Sequence, residues 1–191
     1  MFIQTESTPN PRTLKFLPGR EVLGTGSREF ASIDAAQGAP LALALFAVDG
    51  VERVYLGGDF IAITKSEAIE WPRLKPHVLA AIMDHFTSGR SVLSEGNDAA
   101  ETGEAERVYE GEAAGIVKEL KELIETRVRP AVARDGGDIT FHSWDHENGV
   151  VLLNMRGACA GCPSSTLTLK QGIENMLRHY VPEVMRVEQV V

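Results

Sequence analysis

The sequence predicts an α+β protein of two small α/β domains, each with helices packed on a short, mainly antiparallel sheet, joined by a flexible acidic linker. Three observations carry this. Two β-hairpin signatures occur far apart, each flanked by apolar residues at helical spacing. Between Ser88 and Gly111 the apolar periodicity gives way to "SGRSVLSEGNDAAETGEAERVYEG". A segment that small, polar and acidic buries too little surface to offset its ordering entropy. At that length it is also too long for an ordinary loop inside a compact domain. The expected boundaries are 1–90, a linker over 91–112, and 113–191.

The first domain opens with short strand-like runs, Phe2–Gln4 and Thr13–Leu17, punctuated by Pro9, Pro11 and Pro18-Gly19. Pro40 suits the first turn of a helix running through Val48, which Asp49-Gly50 stops. "VERVYLGGDFIAITK" reads as a hairpin turned at Gly57-Gly58-Asp59. A helix from about Pro72 to Phe86 closes the domain, with Val78, Leu79, Ile82, Met83 and Phe86 on one face.

The second domain repeats that order of elements. Ile116, Leu120, Leu123, Ile124 and Val128 form an apolar stripe. Asp135-Gly136-Gly137 ends this helical region, and Pro130 is a place where it bends or breaks. "ITFHSWDHENGVVLLNM" is a hairpin turned at Asn148-Gly149. Leu169, Ile173, Met176, Leu177 and Tyr180 mark a second helical face, and "VMRVEQVV" ends the chain as a strand.

With 191 residues, 43% hydrophobic and 24% charged, the chain has the material for packed cores. Its formal charge of -8 argues against nucleic acid or an anionic membrane as partner, because like charges repel. The opening "MFIQTESTPNPRTLKF" has neither a secretory nor a transit-peptide composition. The longest apolar run, "PLALALFAV", is far short of the roughly 20 residues that span a bilayer. Two cysteines make no secreted-type disulfide framework. The expected address is therefore a reducing, bacterial cytoplasm, although a processed organellar protein would read the same.

Both cysteines, Cys159 and Cys162, lie in "RGACAGCPSSTLTL", leaving a predicted strand and entering a predicted helix. Pro163 suits the first helical position, with Ser164 or Ser165 as the other candidates for the helix start. Unpaired amide N–H groups and the positive end of the helix dipole favour thiolate, the form that binds metal or attacks sulfur. Gly157 and Gly161 leave room for a bulky ligand. Three uses of the pair compete: metal or cluster binding, dithiol redox chemistry, and structural thiols.

A thioredoxin-like role calls for the pair at the first helix of a βαβ unit, whereas here it follows a hairpin. A zinc site within one chain needs four ligands. His142 and His146, four apart on a predicted strand, would sit roughly 13 Å apart unless a bulge intervenes, too far to grip one ion. They read as solvent-facing, as do His77 and His85; His179 is the remaining candidate. Iron–sulfur clusters usually take four cysteine thiolates, which two chains related by a two-fold axis would supply. A zinc-bridged dimer satisfies the same count.

"VRPAVARDGGDI" (128–139) followed by "GACAGCPSSTLTLKQGIE" (157–174) closely resembles the Nfu/NifU-like iron–sulfur scaffold domain, and "TESTPNPRTLKFLPG" (5–19) resembles the N-terminal domain found on many members. The resemblance implies a non-enzymatic assembly protein and carrier. It makes Cys159 and Cys162 the ligands of a [4Fe–4S] cluster shared between two subunits of a homodimer. It implies an upstream scaffold or donor, and apo iron–sulfur client proteins as recipients. Asp135-Gly136-Gly137 matches a family element and is assigned to the turn before the hairpin; Asp138 is read as structural. The first domain, which has no cysteine, is expected to recognise clients or donors.

Overall fold

The computed structural model describes residues 2–94, 108–160 and 163–190, with residues 163–166 as backbone only. Gly161, Cys162 and the centre of the expected linker, 95–107, lie outside the described residues. The chain divides into two compact units, Met1–Glu101 and Thr102–Val191. Each has its own apolar core, helices and a sheet, the α+β arrangement that the hairpin and helix patterns predict.

In the first unit the strands are β1 (Gln4–Ser7), β2 (Thr13–Leu17), β3 (Arg28–Phe30), β4 (Val51–Leu56) and β5 (Ile61–Lys65). They form one antiparallel sheet in the order β1-β2-β5-β4-β3. β5, central in the sheet between β2 and β4, is buried along its whole length. Helices α1 (Pro40–Phe46) and α2 (Trp71–Thr87) contribute Leu41, Leu45, Leu74, Val78 and Ile82 to a core that includes Phe16, Leu56, Ile61 and Ile63. Val92 and Leu93 pack against it from the end of the described segment.

Three local expectations need correction. The first strand begins at Gln4 and leaves Phe2 80% exposed, because β1 is an edge strand whose register on β2 runs from Gln4↔Leu17 to Ser7↔Leu14. The short, charged edge strand β3 has only Phe30 buried and offers almost no pattern to detect. On α2 the buried face is Leu74, Val78, Ile82 and His85, while Met83, one residue past that stripe, is exposed.

His85 is not solvated as its sequence context suggests. It is 1% exposed, neither ring nitrogen has a hydrogen-bond partner among the described residues, and Phe86 meets its ring edge-on.

The second unit starts with α3 (Gly111–Leu123), which runs through a wide π turn (Ile124–Val128) into α4 (Arg129–Arg134). All five stripe residues, Ile116 to Val128, are buried. Pro130 does not break the helix. The π turn just ahead of it has already widened the backbone, with the Arg129 N–H reaching the Ile124 carbonyl, and so accommodates a residue that donates no hydrogen bond.

Strands β6 (Gly137–Asp145), β7 (Val150–Gly157) and β8 (Arg186–Gln189) form the sheet in that order. β6 and β7 are antiparallel, with a bulge at His142; β7 and β8 are parallel. A parallel pair needs a crossover, which α5 (Pro163–Tyr180) provides. Ile173 and Leu177 bury its inner face, with Leu169 and Met176 packed beside them. Tyr180 falls outside this stripe, 41% exposed, with the Arg127 guanidinium 4.9 Å from its ring centre. Arg178 ties α5 to the Val184 carbonyl (3.2 Å), and Glu174 accepts the Val187 N–H (3.1 Å). No described helix is long and apolar enough to cross a membrane.

Burial, reinforced by the positive charge of Arg90, lowers the pKa of His85 below its ordinary 6.5. The folded first unit therefore resists a proton that the unfolded chain accepts. Its stability is complete above that value and falls as pH drops through it. Thermal unfolding of the first unit between pH 8 and 5 should show a declining midpoint below about pH 6.5. The slope should flatten in His85→Leu, and an unchanged slope in that variant would rule out His85 as its source.

Candidate cluster-binding site

The cysteine loop is built by two motifs that are about twenty residues apart in sequence and adjacent in space. β7 ends at Gly157, which pairs with Gly137, the first residue of β6. Ahead of Gly137, α4 gives way to Asp135 and Gly136. Gly136 adopts φ 76°, a left-handed conformation that disfavours any side chain, and so turns the chain into the strand. Its carbonyl accepts the Ala158 N–H (3.1 Å), tying the Asp-Gly-Gly turn to the start of the loop.

Beyond Gly157 the chain makes a tight turn. The Cys159 N–H donates to the Arg156 carbonyl (3.3 Å) and the Ala160 N–H to the Gly157 carbonyl (3.1 Å). Ala158, Cys159 and Ala160 are all buried, Cys159 at 5% exposure, and Cys159 belongs to the apolar core of the unit. After the undescribed Gly161 and Cys162, α5 begins at Pro163, the position its φ preference suits.

The Cys159 sulfur rests over Gly137. A Cβ built on Gly137 would stand 2.3 Å from Sγ, and 3.0 Å from both the Arg156 carbonyl oxygen and the Cys159 nitrogen. Nonbonded heavy atoms prefer about 3.5–4.0 Å, so no residue larger than glycine fits beneath this thiol. Asp135-Gly136-Gly137 thus does more than turn the chain, as the sequence reading had it: its last glycine faces the cysteine directly.

Asp138, next in line, is 5% exposed and engaged with Arg129. Arg129 Nε donates to Oδ1 (2.8 Å) and Nη2 to Oδ2 (3.0 Å), a two-pronged pair. Oδ1 also accepts the Ile139 N–H (2.9 Å), and Arg129 Nη1 reaches Glu125 (2.6 Å). The hydrogen bonds to Asp138 raise the arginine pKa, with the Asp138 and Glu125 charges adding and burial opposing. The structural reading of Asp138 holds. Arg129 went unnoticed in the sequence, where a lone arginine before a proline carries no signal for a partner nine residues on.

None of the histidines is gathered with other metal-ligating side chains among the described residues. His142 occupies the bulge in β6, half-buried, and His146 lies in the exposed turn beyond β6, its ring 6.4 Å from Trp144. They therefore do not share one regular strand. His77 and His179 are exposed on helices. Among the described residues, no three His, Cys, Asp or Glu side chains gather into a group that would hold a metal ion.

The strand pairing corrects the expected setting of the cysteine pair. The cysteine pair does follow a hairpin, but β7 is also the first strand of the parallel β7-α5-β8 crossover. The pair therefore precedes the helix of a βαβ unit, and topology does not count against dithiol chemistry.

Comparison with known proteins defines the class. The family model described as "Scaffold protein Nfu/NifU N terminal" matches residues 3–89, and "NifU-like domain" matches residues 120–188. A relative named "NFU1 iron-sulfur cluster scaffold homolog, mitochondrial" from Drosophila willistoni is 54% identical over 191 residues, covering 100% of this chain and 64% of the relative. "NifU-like protein 5, mitochondrial" from Arabidopsis thaliana is 49% identical over 189 residues, covering 99% of this chain and 68% of the relative. A solution structure of a NifU-like protein from Saccharomyces cerevisiae is 29% identical, with a TM-score of 0.45 over 50% of this chain and 86% of its own.

The chain belongs to the Nfu/NifU family of iron–sulfur cluster scaffold proteins. It spans about two thirds of the length of the curated relatives it matches.

Proposed function

We propose that this chain is a non-enzymatic carrier that holds a [4Fe–4S] cluster between two copies of itself and passes it to apo iron–sulfur proteins. Cys159 and Cys162 of each copy are the ligands. The observation that carries this reading is the ligand count at a shaped loop. The chain has two cysteines, both in the β7–α5 loop, and one of them is seated over a glycine that leaves space for sulfur. A cluster wants four thiolates, so a second copy completes the set. The cluster is cargo: a site shared across an interface opens when the interface does.

The βαβ position of the pair favours a second reading, a dithiol–disulfide oxidoreductase. Attack on a disulfide requires an accessible thiolate, and Cys159, the leading cysteine, is 5% exposed. That burial weighs against disulfide attack by Cys159; a cluster shared with a second chain also needs the sulfur at the surface, so it is the ligand count, and not the burial, that favours the first reading.

The first unit, in this account, recognises clients or donors. An open cleft of about 430 Å³ between the end of α1 and the flank of α2 supports that role. It is lined by Ala47, Val48, Ile69, Ala80 and Ala81 together with Asp49, Arg73, His77 and Asp84, a mixture of apolar and polar side chains. The mitochondrial relatives favour an organellar address over the bacterial cytoplasm read from composition.

Anaerobic reconstitution with iron and sulfide should give a brown protein with matching iron and sulfide content, and Cys159→Ser and Cys162→Ser should each lose stable cluster binding. A colourless protein that reduces disulfides would replace this reading with the second, and zinc that iron does not displace would defeat both. Removal of residues 1–90, which hold a separate core, should leave cluster assembly intact and slow transfer to some clients. Unchanged transfer across several clients would refute the recognition role.

A further inference from the structure

We infer that the cluster site extends beyond the cysteine loop onto β6, where Gly137 seats the Cys159 sulfur and the Arg129–Asp138 pair holds that seat in place. This rests on the carrier reading of the loop. Gly137 and Arg129 act through Cys159 and are positioning residues.

The seat leaves the thiol little freedom. Two of the three atoms nearest a Gly137 Cβ, the Arg156 oxygen and the Cys159 nitrogen, are backbone. They are held by the Cys159 N–H bond to the Arg156 carbonyl and by the Gly137↔Gly157 pairing. A methyl group at Gly137 would have to displace the third, the sulfur, by more than 1 Å to reach an ordinary contact of about 3.5 Å.

The seat is itself fixed from the helix side. Arg129 grips both oxygens of the buried Asp138 carboxylate, and Oδ1 also accepts the adjacent strand N–H of Ile139. Rigidity therefore passes from Arg129, the first residue of α4 after the π turn, through the carboxylate, to the strand residue beside Gly137. A ligand thiolate shared with a second chain gains from such support, because loosely held ligands let a cluster escape. Lysine at position 129 would keep the charge and lose the fork, so a pure charge role and a positioning role separate there.

The test reads the thiol without iron. In full-length protein carrying Cys162→Ser, the rate of alkylation of Cys159 by iodoacetamide is measured at one fixed pH, with the thermal midpoint recorded alongside. Gly137→Ala should speed alkylation by about tenfold or more as the thiol leaves its seat. Arg129→Lys should speed it by a smaller factor. Gly172→Ala, on α5 where a Cβ meets nothing within 4 Å, should leave it unchanged.

If Gly137→Ala does not fold, Arg129→Lys decides, since it leaves the glycine in place. Alkylation within about twofold of the parent in every folded variant overturns the inference. In chains with both cysteines, the same variants should lose a reconstituted cluster to a chelator faster than the parent does. A parent that never takes up a cluster defeats the carrier reading alone, because the alkylation result stands independently of iron.

Discussion

The geometry of the cysteine loop turns on a sulfur atom resting on a glycine. The contact between Cys159 and Gly137 exists only because strand β6 begins at the residue that lacks a side chain, directly across from the last residue of β7. Gly136 must turn the helix into the strand for that to happen, and its carbonyl then ties down the loop at Ala158. The π turn lets the helix pass Pro130 and presents Arg129 to Asp138. Helix, turn, strand and loop converge on one thiol.

On the carrier reading, that convergence explains how a loop with two ligand thiols would act as a binding site. A pair of cysteines on a loose loop would sample many positions, and each cluster bond would have to offset the lost freedom. Here Cys159 is already held before any cluster arrives. What the chain does not supply is the second pair of thiolates. On that reading the site seats one thiol firmly and leaves two ligands to be supplied, a combination suited to taking up cargo with a second copy and releasing it.

Much of this was legible in the sequence, for identifiable reasons. Strong periodicity placed the stripe from Ile116 to Val128 and the strand Thr13–Leu17, since burial on one face leaves a regular apolar pattern. The cysteine loop was legible because residue types at fixed offsets survive without knowledge of the fold. Other features depend on contacts between distant segments. Nothing in the spelling of Asp-Gly-Gly tells that its last glycine lies under a sulfur twenty-two residues later. The burial of His85 escaped because a histidine at the end of a helix usually faces water. The βαβ context of the cysteines required knowing that the short C-terminal strand β8 pairs with β7 and in which direction.

The central claim, one cluster held jointly by two copies, is tested most directly by native mass spectrometry of the anaerobically reconstituted full chain. The expected species is two chains with a single set of four irons and four sulfides, which falls to single chains when the cluster is removed. A cluster carried by one chain alone, or a cluster-bearing dimer that survives loss of the cysteines, would contradict it.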